Sequence, residues 1–298
     1  MWVLLGVMSL VALGIYDILK KHSLNENAVI PVLFFSTCVP ALLFLPFLIL
    51  SFNVNGFDQY ENFYIPAISL KVHGLIVIKT LIVISSWILS FMALKNLPIS
   101  IVSPIRATGP VWTLIGALTI YGEQLSTLQW IGMTIALAFF YVFSIAGNKE
   151  GINFKTNKWV LFIFLSTVIG TFSTLYDKYL IANYNRLAVQ AYFSFYQVPI
   201  MLIVLLFFWY PKRKSYTPFK WKHTIPLIGI MLVLGDFAYF YALSFEDSLV
   251  SILSLLRRSS VIISFGIGAI LFKERNKRYK ALILLGIIVG IYLIMMGS

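Results

Sequence analysis

Five ionisable residues lie within long apolar stretches of this 298-residue chain: Lys79, Arg106, Asp236, Arg257 and Arg258. At the centre of a bilayer such a side chain costs about 2.5–3.5 kcal/mol, so it must face water, an opposite charge or a bound molecule. Four of the five are cations, and guanidinium groups bind carboxylates and phosphates through paired hydrogen bonds. The set favours a site for a small organic anion, either a carboxylate or a phosphate ester.

Asp236 supports a second interpretation. Tyr239 lies one turn further along the same helical face. The same lining could include three further side chains: Trp87, Tyr196 and Gln197. A carboxylate beside aromatic rings can bind an organic cation or an amino acid through charge and cation–π contact. Asp236 could also neutralise Lys79 or an arginine, or carry a coupling proton, and the sequence leaves these alternatives open.

The segment SPIRATGP, residues 103–110, places Arg106 between Pro104 and Pro110. A proline donates no backbone hydrogen bond, so each ring frees a carbonyl one turn earlier and bends the helix. Freed carbonyls are tolerated at membrane depth where the backbone borders a polar cavity. With Gly109 adding freedom, the segment predicts a bent, cavity-lining stretch and a possible hinge; a kink used only for packing is the simpler alternative.

The surrounding elements must be membrane helices. The chain is 60% hydrophobic and 11% charged, whereas soluble domains carry about 25% charged residues. Continuous apolar windows of about 20 residues, long enough to cross a bilayer, predict an all-α polytopic membrane protein with ten transmembrane helices. They cover residues 2–20, 29–51, 70–94, 99–121, 127–147, 158–181, 187–210, 224–245, 248–272 and 279–297.

The net charge of +12 is explained by topology rather than by binding to nucleic acid. The basic residues collect in the loops that follow the odd-numbered spans. Because positive loops stay in the cytoplasm, both termini are expected on the non-cytoplasmic side, and the bacterial cytoplasmic membrane is the expected location.

The sequence also repeats itself. ISIVSPIR (99–106) is echoed by VSILSLLR (250–257) at an offset of 151 residues, and Glu123 meets Glu274 at the same offset. Five spans per copy place the second copy upside down, with the repeats at 1–150 and 151–298. Inverted repeats around a midplane site are the architecture of alternating-access transporters.

Within each repeat the fourth span ends on a short motif, YGE at 121–123 and FKE at 272–274. With five spans per copy, the chain resembles the EamA-type drug/metabolite transporter superfamily over nearly its full length. Lys273 departs from the usual Gly-Glu, and the charge distribution departs from the termini-inside topology that the resemblance implies. The resemblance implies a secondary transporter of small metabolites. Organic-phosphate translocators of the wider superfamily resemble its basic fourth span and basic pair on the ninth.

The repeat assigns further roles. Arg257, the counterpart of Arg106, is expected to face the cavity, whereas Arg258 is expected to pair with an acid such as Asp177. Glu123 and Glu274 precede the fifth and tenth spans and are expected to anchor the helix that follows. The repeated Tyr-Asp pairs are interpreted as helix-end salt bridges or gates: Tyr16, Asp17, Tyr176 and Asp177.

Other classes of protein are less well supported. Three scattered histidines form no metal or catalytic cluster, and no GxxxxGK[ST] loop is present, so neither an enzyme nor a nucleotide-driven pump is indicated. No cofactor is expected. A coupling proton or counter-substrate, and a monomer or homodimer, are compatible with the sequence, as is a receptor that binds without transport.

Overall fold

The structure is all-helical where it is described. The computed structural model describes residues 1–60, 63–96, 105–106, 108–145, 157–215, 217–260, 262–263 and 277–297. Within them, ten α-helices follow one another: α1 (Trp2–Leu24), α2 (Val29–Asn53), α3 (Leu70–Asn96), α4 (Gly109–Ile120), α5 (Thr127–Ile145), α6 (Lys158–Asn183), α7 (Arg186–Val204), α8 (Thr224–Leu243), α9 (Val250–Arg258) and α10 (Lys277–Met296). The predicted all-α architecture of ten helices is confirmed.

In the described part of the chain, six helices are long and apolar enough to cross a membrane: α1, α2, α3, α6, α7 and α8. The fourth and ninth helices are shorter than predicted in the described residues. The fourth span was expected as one helix over 99–121, but α4 begins at Gly109 with Pro110 in its first turn. A proline is well tolerated there because the first turn leaves its backbone N–H groups without intrahelical partners.

The same turn interrupts the fourth helical segment of each repeat. The N–H of Thr108 donates to the carbonyl of Ile105 at 3.2 Å, and the N–H of Ser259 donates to that of Leu256 at 3.0 Å. The carbonyl of Thr108 accepts in turn from the N–H of Val111 at 3.0 Å, and the carbonyl of Ser259 accepts from the N–H of Ile262 at 2.9 Å. These positions differ by the 151 residues found in the sequence, so the break is a property of the repeat.

Helix packing follows the same internal symmetry. Helix α1 packs along α8, and their counterparts α6 and α3 pack along each other. Each of α2, α4 and α5 packs against its own counterpart, α7, α9 and α10 respectively. The smaller contacts follow the same symmetry. Helix α1 contacts α9, and its counterpart α6 contacts α4, which is the counterpart of α9. Each helix of one repeat thus packs against a helix of the other repeat, and the contacts are related in pairs, as an inverted repeat requires.

Two glycines allow α5 and α10 to approach each other closely. A Cβ built on Gly132 would lie 2.5 Å from the carbonyl oxygen of Gly290, and one on Gly290 would lie 2.7 Å from that of Gly132. Any side chain at either position would force the backbones apart. Small residues at helix crossings allow this close approach in membrane proteins.

The two ends of the bundle differ in charge. The terminal face is the end at which α1 begins and α10 ends. The basic face is the opposite end, where α7 runs through a π-helical turn (Leu205–Trp209) and a 3-10 turn (Tyr210–Lys212) into Arg213 and Lys214.

Two contacts place both termini at the same end of the bundle. Gly6 of α1 lies against Leu253 near the start of α9. The Ser126 hydroxyl, before α5, donates to the carbonyl of Gly297 after α10. Both termini therefore lie at the end of the bundle where Glu123 meets α9.

Glu123 joins the repeats at the terminal face. Its carboxylate accepts hydrogen bonds from the backbone N–H of Val250 at 2.5 Å and from the Ser251 hydroxyl at 2.5 Å. It was expected to anchor the following helix, α5, but it caps α9 of the other repeat. The N-terminus of α5 is instead closed by Ser126 and Gln129, whose side chains accept reciprocally from each other's backbone N–H groups.

Replacing Glu123 with Ala is expected to destabilise the protein by about 1–3 kcal/mol, because a charged acceptor for the start of α9 is lost. Thermal unfolding of the detergent-purified protein measures the effect as a lower midpoint. Glu246→Ala is the matched control, since Glu246 is exposed and has no hydrogen bond or ion pair in the described part of the chain. Equal midpoints for the two variants would contradict the capping role.

Candidate functional site

Two clusters of charged side chains occupy the interior of the bundle. The first, the ion-pair cluster, consists of Lys79, Asp177, Asp236 and Arg257. Within it, the ammonium group of Lys79 forms an ion pair with the carboxylate of Asp177, and both residues are buried. The Lys79 Nζ also lies 4.4 Å from the ring centroid of Phe193. Because α3 and α6 run along each other, these two charges face each other across the contact between repeats.

Arg257 and Asp236 form the second half of the ion-pair cluster. One guanidinium nitrogen of Arg257, Nη2, donates to Asp236 Oδ1 at 2.9 Å. The guanidinium carbon lies 4.1 Å from the ring centroid of Tyr239, one turn after Asp236. Arg257 also interacts electrostatically with Asp177, so the four charges form one neutral group.

The second group, the arginine cluster, consists of Asp17, Lys20, Arg106 and Arg258. Arg258 interacts electrostatically with Arg106 and Asp17, and Lys20 with all three of the others. The Arg258 guanidinium lies beside the break before α4, within 3.4 Å of a Cβ built on Gly109. In the described residues no ion pair within 4.0 Å joins any of these cations to a carboxylate. Three cations thus share one carboxylate.

Tyr16 lies between the two clusters. Its buried phenol interacts electrostatically with Asp17 and Arg106 on one side and with Asp236 and Arg257 on the other. The clusters are themselves related by the repeat, since each holds one repeated aspartate and one repeated arginine. The site is therefore a pseudo-symmetric pair of polar centres with a tyrosine between them.

A narrow cavity opens beside Asp236, between α2, α7 and α8. Its lining includes Gln190, Ser194 and Gln197 of α7 together with Asp236. Gln197 is 1% exposed, and its Oε1 accepts no hydrogen bond from the described residues. Two donors nearby, Arg257 Nη1 and the Tyr239 hydroxyl, are likewise buried without a partner in the described part of the chain. Unsatisfied buried polar atoms are rare in folded proteins, so these three call for a partner such as water or an ion.

The structure pairs the charged residues differently from the sequence analysis. Asp236 was expected to neutralise Lys79 or an arginine as one alternative, and it pairs with an arginine, Arg257. Asp177 was expected to pair with Arg258, but it pairs with Lys79. The reason is depth: Arg258 lies beside Gly170, seven residues before Asp177 on α6, which is about 10 Å along the helix.

Three predicted aromatic residues have other neighbours. The Tyr196 hydroxyl lies 2.7 Å from His73 Nδ1 on α3, not in the cavity beside Asp236. Tyr176 donates to the carbonyl of Leu75 and stacks on Tyr179, so it holds α6 to α3. Trp87 packs where three apolar clusters meet.

Several other predicted residues can also be located. Gly109 and Pro110 open α4 at the break, whereas Pro104 and Glu274 lie outside the described residues. Lys20 was not among the predicted site residues. Its spacing of three residues from Asp17 places both side chains on one helical face.

Lys79→Met is expected to destabilise the protein by about 3–5 kcal/mol, because Asp177 is left buried without its cation. The double variant Lys79→Met/Asp177→Asn removes both charges and is expected to recover most of that loss. Thermal unfolding midpoints of the wild type, both single variants and the double variant measure the coupling. A double variant no more stable than Lys79→Met would show that the ion pair does not carry the effect.

Comparison with known proteins agrees with this architecture. The sequence profile described as the EamA-like transporter family matches residues 1–145 and 157–296. A solved structure described as a crystal structure of a protein superposes with a TM-score of 0.71 at 16% identity, covering 99% of this chain and 96% of the other. That identity supports a shared fold alone, and no curated protein sequence matches. With two matches that span its two repeats, the chain is an integral membrane protein of the EamA-like transporter family.

Proposed function

We propose that the chain is a secondary active transporter that moves small organic anions, carboxylates or phosphate esters, by alternating access. The observation that carries the proposal is the arginine cluster, in which Lys20, Arg106 and Arg258 share Asp17 as their carboxylate among the described residues. Such an excess of positive charge inside an apolar bundle is costly unless an anion compensates it.

The local backbone favours the same substrate class. Helix α4 begins at Gly109, directly beside Arg106 and Arg258, and its N-terminal end carries the positive end of the helix dipole. Guanidinium groups present two parallel donors that match a carboxylate or phosphate. Arg106 and Arg258 are therefore the proposed anion ligands, with Lys20 adding charge.

The alternative, an organic-cation or amino-acid transporter centred on Asp236, is less well supported. The Asp236 carboxylate accepts a hydrogen bond from Arg257 at 2.9 Å, so its charge is already neutralised. The aromatic lining proposed for a cation also lacks Tyr196, which contacts His73.

Alternating access fits the exchanged helix partners and the interrupted fourth and ninth helices. Inverted-repeat transporters place discontinuous helices at the substrate site, and their repeats rock around it. Here both breaks lie next to the arginine cluster, since Ser259 follows Arg258 and the Arg258 guanidinium lies beside Gly109, which follows Thr108.

Anion binding can be tested by thermal unfolding in the presence of phosphate esters, carboxylates, zwitterionic amino acids and quaternary amines. A ligand at about 100 times its dissociation constant adds about 2.7 kcal/mol, so anions are expected to raise the midpoint. Arg106→Ala and Arg258→Ala are expected to weaken binding about 10- to 100-fold, since each removes a charged hydrogen bond worth about 1.5–3 kcal/mol.

Arg213→Ala is the matched control, because Arg213 is exposed on the basic face and stacks on Tyr210. Counterflow of a labelled anion in proteoliposomes then separates a transporter from a receptor, since a receptor binds without exchange. Stabilisation by quaternary amines alone, abolished by Asp236→Asn, would overturn the anion proposal in favour of the alternative.

The positive loops support an orientation in the bacterial cytoplasmic membrane with the basic face in the cytoplasm. Single cysteines at the exposed positions Ser244 and Ser215 report the terminal and basic faces, in a Cys38→Ser background. A membrane-impermeant maleimide added to intact cells is expected to label Ser244→Cys and to spare Ser215→Cys. The reverse pattern would place the termini inside.

A further inference from the structure

In the ion-pair cluster, Asp236 occupies the guanidinium group that an anionic substrate would bind, and its carboxylate can also accept a proton. We propose that the substrate anion displaces Asp236 from Arg257 and that the displaced Asp236 becomes protonated, so that one proton is carried with each anion. This inference rests on the proposed transport of anions and names the ion that is coupled to it.

The first argument is the geometry of the pair. Asp236 engages Arg257 through one contact, Nη2 to Oδ1 at 2.9 Å, while Nη1 of the same guanidinium is buried without a partner among the described residues. The Tyr239 hydroxyl, also buried and without a partner there, belongs to the ring over which this guanidinium lies. An anion that reaches Arg257 would supply acceptors to both donors, which Asp236 leaves unsatisfied.

The second argument concerns the carboxylate side. Asp236 lines the same cavity as Gln197, whose buried Oε1 lacks a donor in the described residues. A protonated Asp236 carries an O–H group and can donate to this oxygen, whereas the carboxylate cannot. One anion and one proton would therefore satisfy all three buried atoms.

The third argument is the charge around Asp236. The groups that interact electrostatically with it include Tyr16 of α1, Asp177 of α6, Tyr239 of its own helix and Arg257 of α9. Asp177 is held by Lys79, so Arg257 is the cation available to Asp236. When a buried carboxylate loses its cation, the neutral protonated form is favoured. The proton is taken up from buffer acid or hydronium in the aqueous solution, forms the O–H bond of Asp236, and is released to solution when Asp236 returns to Arg257.

Tyr16 lies between the arginine cluster and the Arg257–Asp236 pair. Its phenol interacts electrostatically with Arg106 on one side and with Arg257 and Asp236 on the other. Arg257 and Arg258 are consecutive at the end of α9, so their side chains point about 100° apart. An anion held by Arg106 and Arg258 must therefore pass Tyr16 to reach the pair that it opens.

The test is calorimetric titration of succinate and glycerol 3-phosphate into the detergent-purified protein at about pH 8, where carboxylates and phosphate monoesters are ionised. Titrations in two buffers of different ionisation enthalpy give the number of protons taken up on binding. The wild type is expected to take up about one proton per anion. Asp236→Asn is expected to take up none and to bind the anion about tenfold more tightly, because the competitor for Arg257 is gone.

Two variants complete the test. Asp236→Glu keeps a titratable competitor and is expected to retain proton uptake, and Asp247→Asn, at an exposed loop position, is expected to behave as the wild type. Anion binding without proton uptake, or unchanged uptake in Asp236→Asn, overturns the coupling proposal and leaves the anion transporter standing. Weaker anion binding in Asp236→Asn contradicts the competition. Absence of any anion binding overturns both proposals.

Discussion

The interior of this protein is governed by the cost of placing charge in an apolar medium. Each cation in the bundle needs a carboxylate, an aromatic face, a helix end or a bound anion, and the helices are arranged to supply these. Lys79 has Asp177 and the ring of Phe193. Arg257 has Asp236, the ring of Tyr239 and the C-terminal end of α9. In the arginine cluster Lys20 has the ring of Phe91 and Arg258 has the same helix end, but in the described residues no carboxylate lies within 4.0 Å of its cations, and that difference between two related centres singles it out.

Internal symmetry explains how one chain builds two centres of different charge. The repeat places an aspartate and an arginine in each, and the helix breaks at Thr108 and Ser259 occur at equivalent positions of the two repeats. Residues outside the repeat then decide the balance. Lys79 and Asp236 are added to one centre, and Lys20 and Arg258 to the other, so one becomes neutral and the other cationic.

The sequence predicted the helix number, the repeat and most of the buried charges. The lengths of the apolar segments and the fixed offset between similar segments are both properties of the linear sequence, so no knowledge of the fold is needed to find them. It could not predict which charges meet. The spans are apolar on nearly every side, so no polar face indicates how each helix is rotated. The pairing of Lys79 with Asp177 follows from the contact of α3 with α6, and the α9 cap by Glu123 from the contact between repeats. The prolines next to Arg106 predicted the break before α4, whereas no proline marks the equivalent break after Arg258.

The ion pair between Lys79 and Asp177 also constrains how the protein is made. The two residues are 98 positions apart, and they belong to different repeats. At a synthesis rate of roughly 5–20 residues per second, Lys79 leaves the ribosome roughly 5–20 s before its counter-ion. During that interval the first repeat holds a cation in a span with no carboxylate of the second repeat to meet it. The first five helices therefore lack the counter-ion of Lys79 during biosynthesis until α6 supplies it.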